Sequence, residues 1–136
     1  MTMISGVPQG SIIGPIIFNL FINDLIFVMK LSDLSNYADD NTISVWADSI
    51  KELINTLESE CEITIKCFKD YEMIVNPDKF QAIILNNGHL DQDNYKLKFN
   101  VFEINSKTSV TLLGLEIDDK LSFHSHIHSL TRKAAG

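Results

Sequence analysis

The sequence predicts an α+β fold in which an antiparallel β-sheet packs against two helices. Three observations carry that prediction. An almost wholly apolar run covers residues 15–29. Apolar residues recur at helical spacing over 48–72, and short β-favouring runs bounded by turn residues occupy 34–46 and 80–117.

Length and composition fit a single globular unit spanning 1–136. The chain has 136 residues, 45% of them hydrophobic and eight of them Phe, enough to build a core. The formal net charge is −7, which argues against a free-standing nucleic-acid binder with a basic stripe. Residues 1–68 hold nine acids and three bases, whereas 69–136 hold nine and eight, so an acidic site is expected in the first half. Cys61 and Cys67 stand six positions apart on a helical segment and point to different faces. They read as reduced thiols. With no Asn-X-Ser/Thr acceptor and no basic flank ahead of the apolar run, the chain is expected to be intracellular and not secreted.

The elements follow in order. "GVPQGSIIGP" is a loop rich in Gly and Pro. Pro15 to Met29 then forms a helix that is apolar nearly all round and must be covered on most sides. Asn19, Asn23 and Asp24 sit within it, and a mid-bilayer aspartate costs roughly 2.5–3.5 kcal/mol, so it is read as a buried helix and not a membrane span. Residues 34–46 make a tight hairpin around Asp39 and Asp40. The 48–72 helix carries its stripe at Ile50, Leu53, Ile54, Leu57, Cys61, Ile65 and Phe68, with Ser49 and Glu52 at capping-box spacing. Its other face, with Glu52, Glu58, Glu62 and Lys66, is read as solvated. Pro77 excludes helix at Asn76, and "MIVNPDKF" is expected to end the helix in a turn. "FQAIILN", "YKLKFNVFEI" and "VTLLGLEI" then read as three strands, and "LSFHSHIHSLTRKAAG" opens a last helix.

Asp39-Asp40 is the first candidate site. At a hairpin tip both carboxylates can approach one metal, and a cation offsets their mutual repulsion. Hard oxygen donors of this kind suit Mg²⁺. Taken alone, an Asp-Asp pair is more often an exposed turn. His124, His126 and His128 would share one face if they lay on a strand, which raises a metal cluster as a minor alternative.

The order of motifs shifts the reading. "GVPQGSIIGPIIFNLFINDL", "YADD", "NPDKFQAIIL" and "LLGLEIDDKLSFHSHI" follow one another in this chain. Together they resemble the palm of reverse transcriptases, most closely the non-LTR (LINE-type) retrotransposon branch, from residue 6 to about 134. "PQGS" with "FINDL" points to that branch, because group II intron maturases more often show "PQGG" and lack "FINDL".

The resemblance implies RNA-templated DNA synthesis by two-metal nucleotidyl transfer. It assigns Asp39 and Asp40 as catalytic metal ligands, with Asp39 favoured as the direct one. Mg²⁺ or Mn²⁺ is the implied cofactor, and an RNA template and DNA primer are the implied partners. It places Pro8, Gln9, Gly10 and Ser11 beside the templating base and incoming nucleotide, Lys79 near the phosphates, and Leu113 and Gly114 at the primer end. By composition alone "LLGLEID" is a buried strand with Gly114 marking a bulge or close approach. "SFHSHI" would begin the connection to the thumb, at about 121–136.

The family's third carboxylate lies on a strand upstream of the "PQG" motif. Five residues precede Gly6 and none is acidic. The resemblance therefore leads to the expectation of a partial palm, without fingers or first catalytic strand, that is inactive alone. A non-catalytic interaction module is the alternative, with missing polymerase segments or a protein partner on the 15–29 helix.

Overall fold

The computed structural model describes residues 10, 12–38, 40–85, 95–100 and 102–135. These form an α+β chain of helices and antiparallel hairpins, divided into two compact units, Met1–Val75 and Asn76–Gly136.

In the first unit the apolar run forms two helices, α1 (Gly14–Ile22) and α2 (Leu25–Val28), instead of one. The break falls at Asn23-Asp24, two residues whose short polar side chains compete with helical bonding. Ile26 N–H donates to Asn23 O and Phe27 N–H to Asp24 O, tightening the junction to 3₁₀-type bonds. The expected cover on most sides is not observed among the described residues. Ile22, Leu25 and Met29 are buried, whereas Ile16, Leu20, Ile26 and Phe27 are exposed, Phe27 at 78%. One helical partner explains this, because α2 packs on α3 (Ile50–Asp70) and a single neighbour covers a single stripe.

β1 (Asp33–Tyr37) and β2 (Asp40–Ser44) form the expected hairpin, in the register Asp33↔Ser44 to Tyr37↔Asp40. Helix α3 begins as its capping residues dictate: Ser49 is extended, with φ −132°, and its hydroxyl accepts the Glu52 N–H. Its end differs from expectation. Glu72 adopts φ +59°, Glu72 N–H donates to Lys69 O, and Met73 N–H donates to Phe68 O. Those two bonds make a Schellman motif that closes the helix several residues before Pro77. Cys61 of the predicted stripe is buried and its other members half-buried, but Glu60 and Thr64 are buried beside it.

The second unit opens with a 3₁₀ turn at Pro77–Lys79, capped by the Asn76 side chain accepting from Asp78 N–H. The strands expected from 80 to 117 are arranged as two hairpins. β3 (Lys96–Lys98) pairs with β4 (Glu103–Asn105), and β5 (Ser109–Leu112) with β6 (Leu115–Asp118). "YKLKFNVFEI" and "VTLLGLEI" are thus each folded back on themselves, at Asn100 and at Leu113-Gly114. Residues 80–85 form no strand, only a parallel bridge from Ile83 to Lys107. Antiparallel pairing holds throughout the named strands, in three separate two-stranded ribbons. Leu97 is wholly buried and Phe99 nearly so, and the Phe80, Phe99 and Phe102 rings meet at centroid distances of 4.9 to 6.2 Å. Helix α4 (His124–Ala135) packs on β6. Among the described residues no helix is long and apolar enough to cross a membrane.

Candidate active-site hairpin and the elements that hold it

The β1–β2 ladder ends at the Tyr37↔Asp40 pair, so residues 38 and 39 alone connect the strands. Ala38 lies at φ +52°, a strained setting for a residue with a Cβ that tight hairpins impose. Asp40 is exposed as the first residue of β2. Asp39 lies outside the described residues, as do Pro8, Gln9 and Ser11. Gly10 is described: its φ is +81° and a Cβ there would meet nothing within 4 Å. Conformation, not crowding, is what favours glycine at that position.

Lys79 and the Leu113-Gly114 pair belong to the second unit. Lys79 is exposed, and its N–H donates to Asn76 O to close the 3₁₀ turn. Leu113 and Gly114 have φ +50° and +83° and form the two-residue turn between β5 and β6. This corrects the reading of "LLGLEID" as a buried strand. Positive φ at both central positions gives a type I′ turn, Leu113 is 58% exposed, and nothing lies within 4 Å of a Cβ at Gly114.

The histidines are likewise rearranged. They lie on helix α4, not on a strand, so His126 diverges from His124 and His128. The His126 Nδ1 accepts the Glu116 N–H at 3.3 Å, tying α4 to β6. His124 and His128 line an open groove with Ser125, Ser129 and Arg132. Among the described residues no group of three or more His, Cys, Asp or Glu side chains could hold a metal ion.

Three carboxylates that the sequence did not single out do structural work. Glu60 is 2% exposed, and its Oε2 accepts the Lys30 N–H at 3.1 Å and the Ser32 hydroxyl at 2.7 Å. Asp24 accepts the Tyr71 hydroxyl at 2.7 Å, a bond that pushes the Tyr71 pKa up to about 12. Asp118 accepts the N–H groups of Lys120, Ser122 and Phe123 and the Ser122 hydroxyl. It thereby holds a turn in which Leu121 and Phe123 both take positive φ. No short motif signals Glu60 or Asp24. Asp118 four positions ahead of Ser122 is a local side-chain-to-backbone pattern that could have been read.

The backbone N–H of Ser122, first among these donors, holds the Asp118 pKa below its ordinary value of 3.8. A lowered pKa in the folded state adds stability above the unfolded value and loses it as pH falls through the folded one. The link from β6 to α4 is therefore expected to hold at neutral pH and to loosen only below about pH 4. Amide exchange of α4 between pH 3 and 6 checks this, and Asp118→Asn should abolish the pH dependence. The thiols are inert by comparison: burial, then the Glu60 charge, pushes Cys61 up to about 12, and burial also raises Cys67.

For a divalent cation the donor chemistry fits. Asp40 offers exposed carboxylate oxygens beside a two-residue loop whose other acid is Asp39, and hard cations take such ligands.

Comparison with known proteins agrees with the order of the motifs. Residues 2–117 match the family model described as reverse transcriptase (RNA-dependent DNA polymerase). A retrovirus-related Pol polyprotein from type-1 retrotransposable element R1 2 of Nasonia vitripennis is 26% identical over 96% of this chain and 33% of its own length. A probable RNA-directed DNA polymerase from transposon BS of Drosophila melanogaster is 26% identical over 96% of this chain and 15% of its own. The RNA-directed DNA polymerase from mobile element jockey of the same species is 23% identical over 93% and 14%. The chain thus spans a third or less of the length of these relatives. No solved structure matches. The family depends generally on divalent metal and acts on nucleic-acid templates. With four motifs in order, an α+β fold and a family match across most of its length, the chain belongs to the reverse transcriptase (RNA-dependent DNA polymerase) family, and its resemblance is to the polymerases of non-LTR retrotransposons.

Proposed function

We propose that this chain is palm sequence of a retrotransposon polymerase that copies RNA into DNA, with Asp39 and Asp40 as its metal-binding carboxylates. The observation that carries the reading is the β1–β2 hairpin closed at Tyr37↔Asp40, with Asp39 next to Asp40 in a sequence set between "GVPQGS" and "NPDK". Two bound divalent ions would supply activation of a 3′-hydroxyl and stabilisation of leaving pyrophosphate. The chain's own residues do the positioning. Asp40 presents its carboxylate on the first residue of β2, which the β1–β2 ladder fixes, and Asp39 would add its own as the neighbour in sequence. The family resemblance gives Pro8, Gln9, Gly10 and Ser11 the nucleotide and template role, Lys79 the phosphate role, and Leu113 and Gly114 the primer role.

Primer extension on an RNA template in Mg²⁺ tests the reading. Incorporation that needs the RNA template and disappears on Asp40→Ala supports the site assignment and overturns the expectation of a chain inactive alone, whereas absence of incorporation agrees with that expectation. Incorporation that survives Asp40→Ala, or that needs no divalent ion, contradicts the site assignment.

The exposed apolar residues Ile16, Leu20 and Phe27 support a further part of the reading, that another polymerase segment or a protein partner covers α1 and α2. Size-exclusion chromatography with light scattering addresses it. A monodisperse, well-behaved monomer argues against a partner-seeking surface.

A further inference from the structure

We infer that Glu60 is a positioning residue for the Asp39–Asp40 hairpin, acting as the buried clamp that fastens the root of β1 to α3. The inference rests on the metal-site reading above for its consequence, but not for its geometry. The two groups that Glu60 Oε2 accepts, Lys30 N–H at 3.1 Å and Ser32 Oγ–H at 2.7 Å, belong to the connector that ends one residue before β1 begins. These bonds reach across 30 and 28 positions of sequence, so they close a loop that contains the whole hairpin.

The other root of the hairpin is fastened to the same helix. β2 ends at Ser44, and five residues later Ser49 caps α3. The two roots therefore meet α3 at Ser49 and Glu60, about 16 Å apart at the helical rise of 1.5 Å per residue. A two-stranded ribbon is marginal by itself in water, and β1 is exposed at four of its five positions, so side-chain burial contributes little to holding it. Hydrogen bonds to a buried carboxylate, which are stronger than neutral ones, take that part. Glu60 itself is 2% exposed, and its own carbonyl accepts the Thr64 hydroxyl at 2.9 Å, in the buried middle of α3. A carboxylate in such a place is costly without partners. Its partners here are those at the base of the strand that leads to the tip.

The test compares Glu60→Ala, Glu60→Gln and Leu25→Ala in the full chain, at a temperature where all three remain folded. Leu25→Ala removes buried apolar volume from the same unit without touching the clamp bonds. Two quantities are measured: amide exchange across residues 33–44, and affinity for Mn²⁺ alone. Glu60→Ala is expected to speed hairpin exchange by about tenfold or more over Leu25→Ala at equal global stability, and to weaken Mn²⁺ binding by about tenfold. Glu60→Gln, which keeps a carbonyl acceptor, should recover most of both. Hairpin exchange unchanged in Glu60→Ala, or changed equally by Leu25→Ala, overturns the inference. If wild-type Mn²⁺ binding is absent or insensitive to Asp39→Ala and Asp40→Ala, the metal-site reading fails, and the exchange measurement still decides the role of Glu60.

Discussion

Replacing Asp39 and Asp40 together by alanine is expected to lower the Mn²⁺ affinity of the chain by about tenfold or more, which corresponds to about 1.4 kcal/mol. Two adjacent carboxylates repel unless a cation lies between them. If the pair is a metal site, their removal takes away the hard oxygen donors and leaves nothing equivalent at the tip. The double change should not unfold the hairpin, since the ladder from Asp33↔Ser44 to Asn36↔Asn41 uses backbone groups below the tip. Relief of the repulsion should even slow amide exchange slightly along β2. If the pair is only an exposed turn, calorimetry will show the same Mn²⁺ affinity in the variant. Single changes sharpen the result, because the family resemblance favours Asp39 as direct ligand, and Asp39→Ala should then cost more than Asp40→Ala.

Leu97→Ala is expected to be the most damaging single change to the second unit, destabilising it by about 3 kcal/mol within the usual range for a buried leucine. Leu97 has no exposed surface and lies on β3, two residues before Phe99 of the aromatic cluster. Truncation removes its transfer free energy and leaves a cavity that a three-residue ribbon has little means to collapse. Urea unfolding followed by the exchange of amides 96–98 and 103–105 measures the effect. Leu113→Ala provides the contrast: at 58% exposure in the β5–β6 turn it should shift stability far less. Equal effects from the two changes would mean that the second unit has no core at Leu97.

Much of this arrangement was legible in the sequence, and where it was not the reason is physical. Ser49 and the stripe from Ile50 to Phe68 announced α3, because capping and helical periodicity are local properties of the chain. The β1–β2 hairpin was legible for the same reason, with β-branched and aromatic residues on either side of an Asp pair. The end of α3 was not, since Glu72 takes a left-handed conformation usually given to glycine. Leu113 conceals the β5–β6 turn in the same way, and two strands were read where there are two hairpins. Glu60 could not be found from sequence. Its partners lie about thirty positions away, and a glutamate on a helix of this composition reads as solvated. The apolar run at 15–29 is helical, as its composition predicts, but as two helices and not one. Its division falls at Asn23-Asp24, and the bond that Asp24 accepts from Tyr71, 47 positions away, is one no local pattern reports.

The reading of the candidate site joins a family match over residues 2–117 to a β1–β2 hairpin whose turn sequence contains Asp39-Asp40. The most direct measurement is Mn²⁺-induced paramagnetic broadening of backbone amide resonances, recorded on the wild-type chain and on the Asp39→Ala/Asp40→Ala variant. Broadening centred on residues 36–42 in the wild type, and lost in the variant, is the predicted result. Broadening centred on the His124–His128 helix or on Asp118, or broadening at the hairpin that persists without the two aspartates, would contradict it.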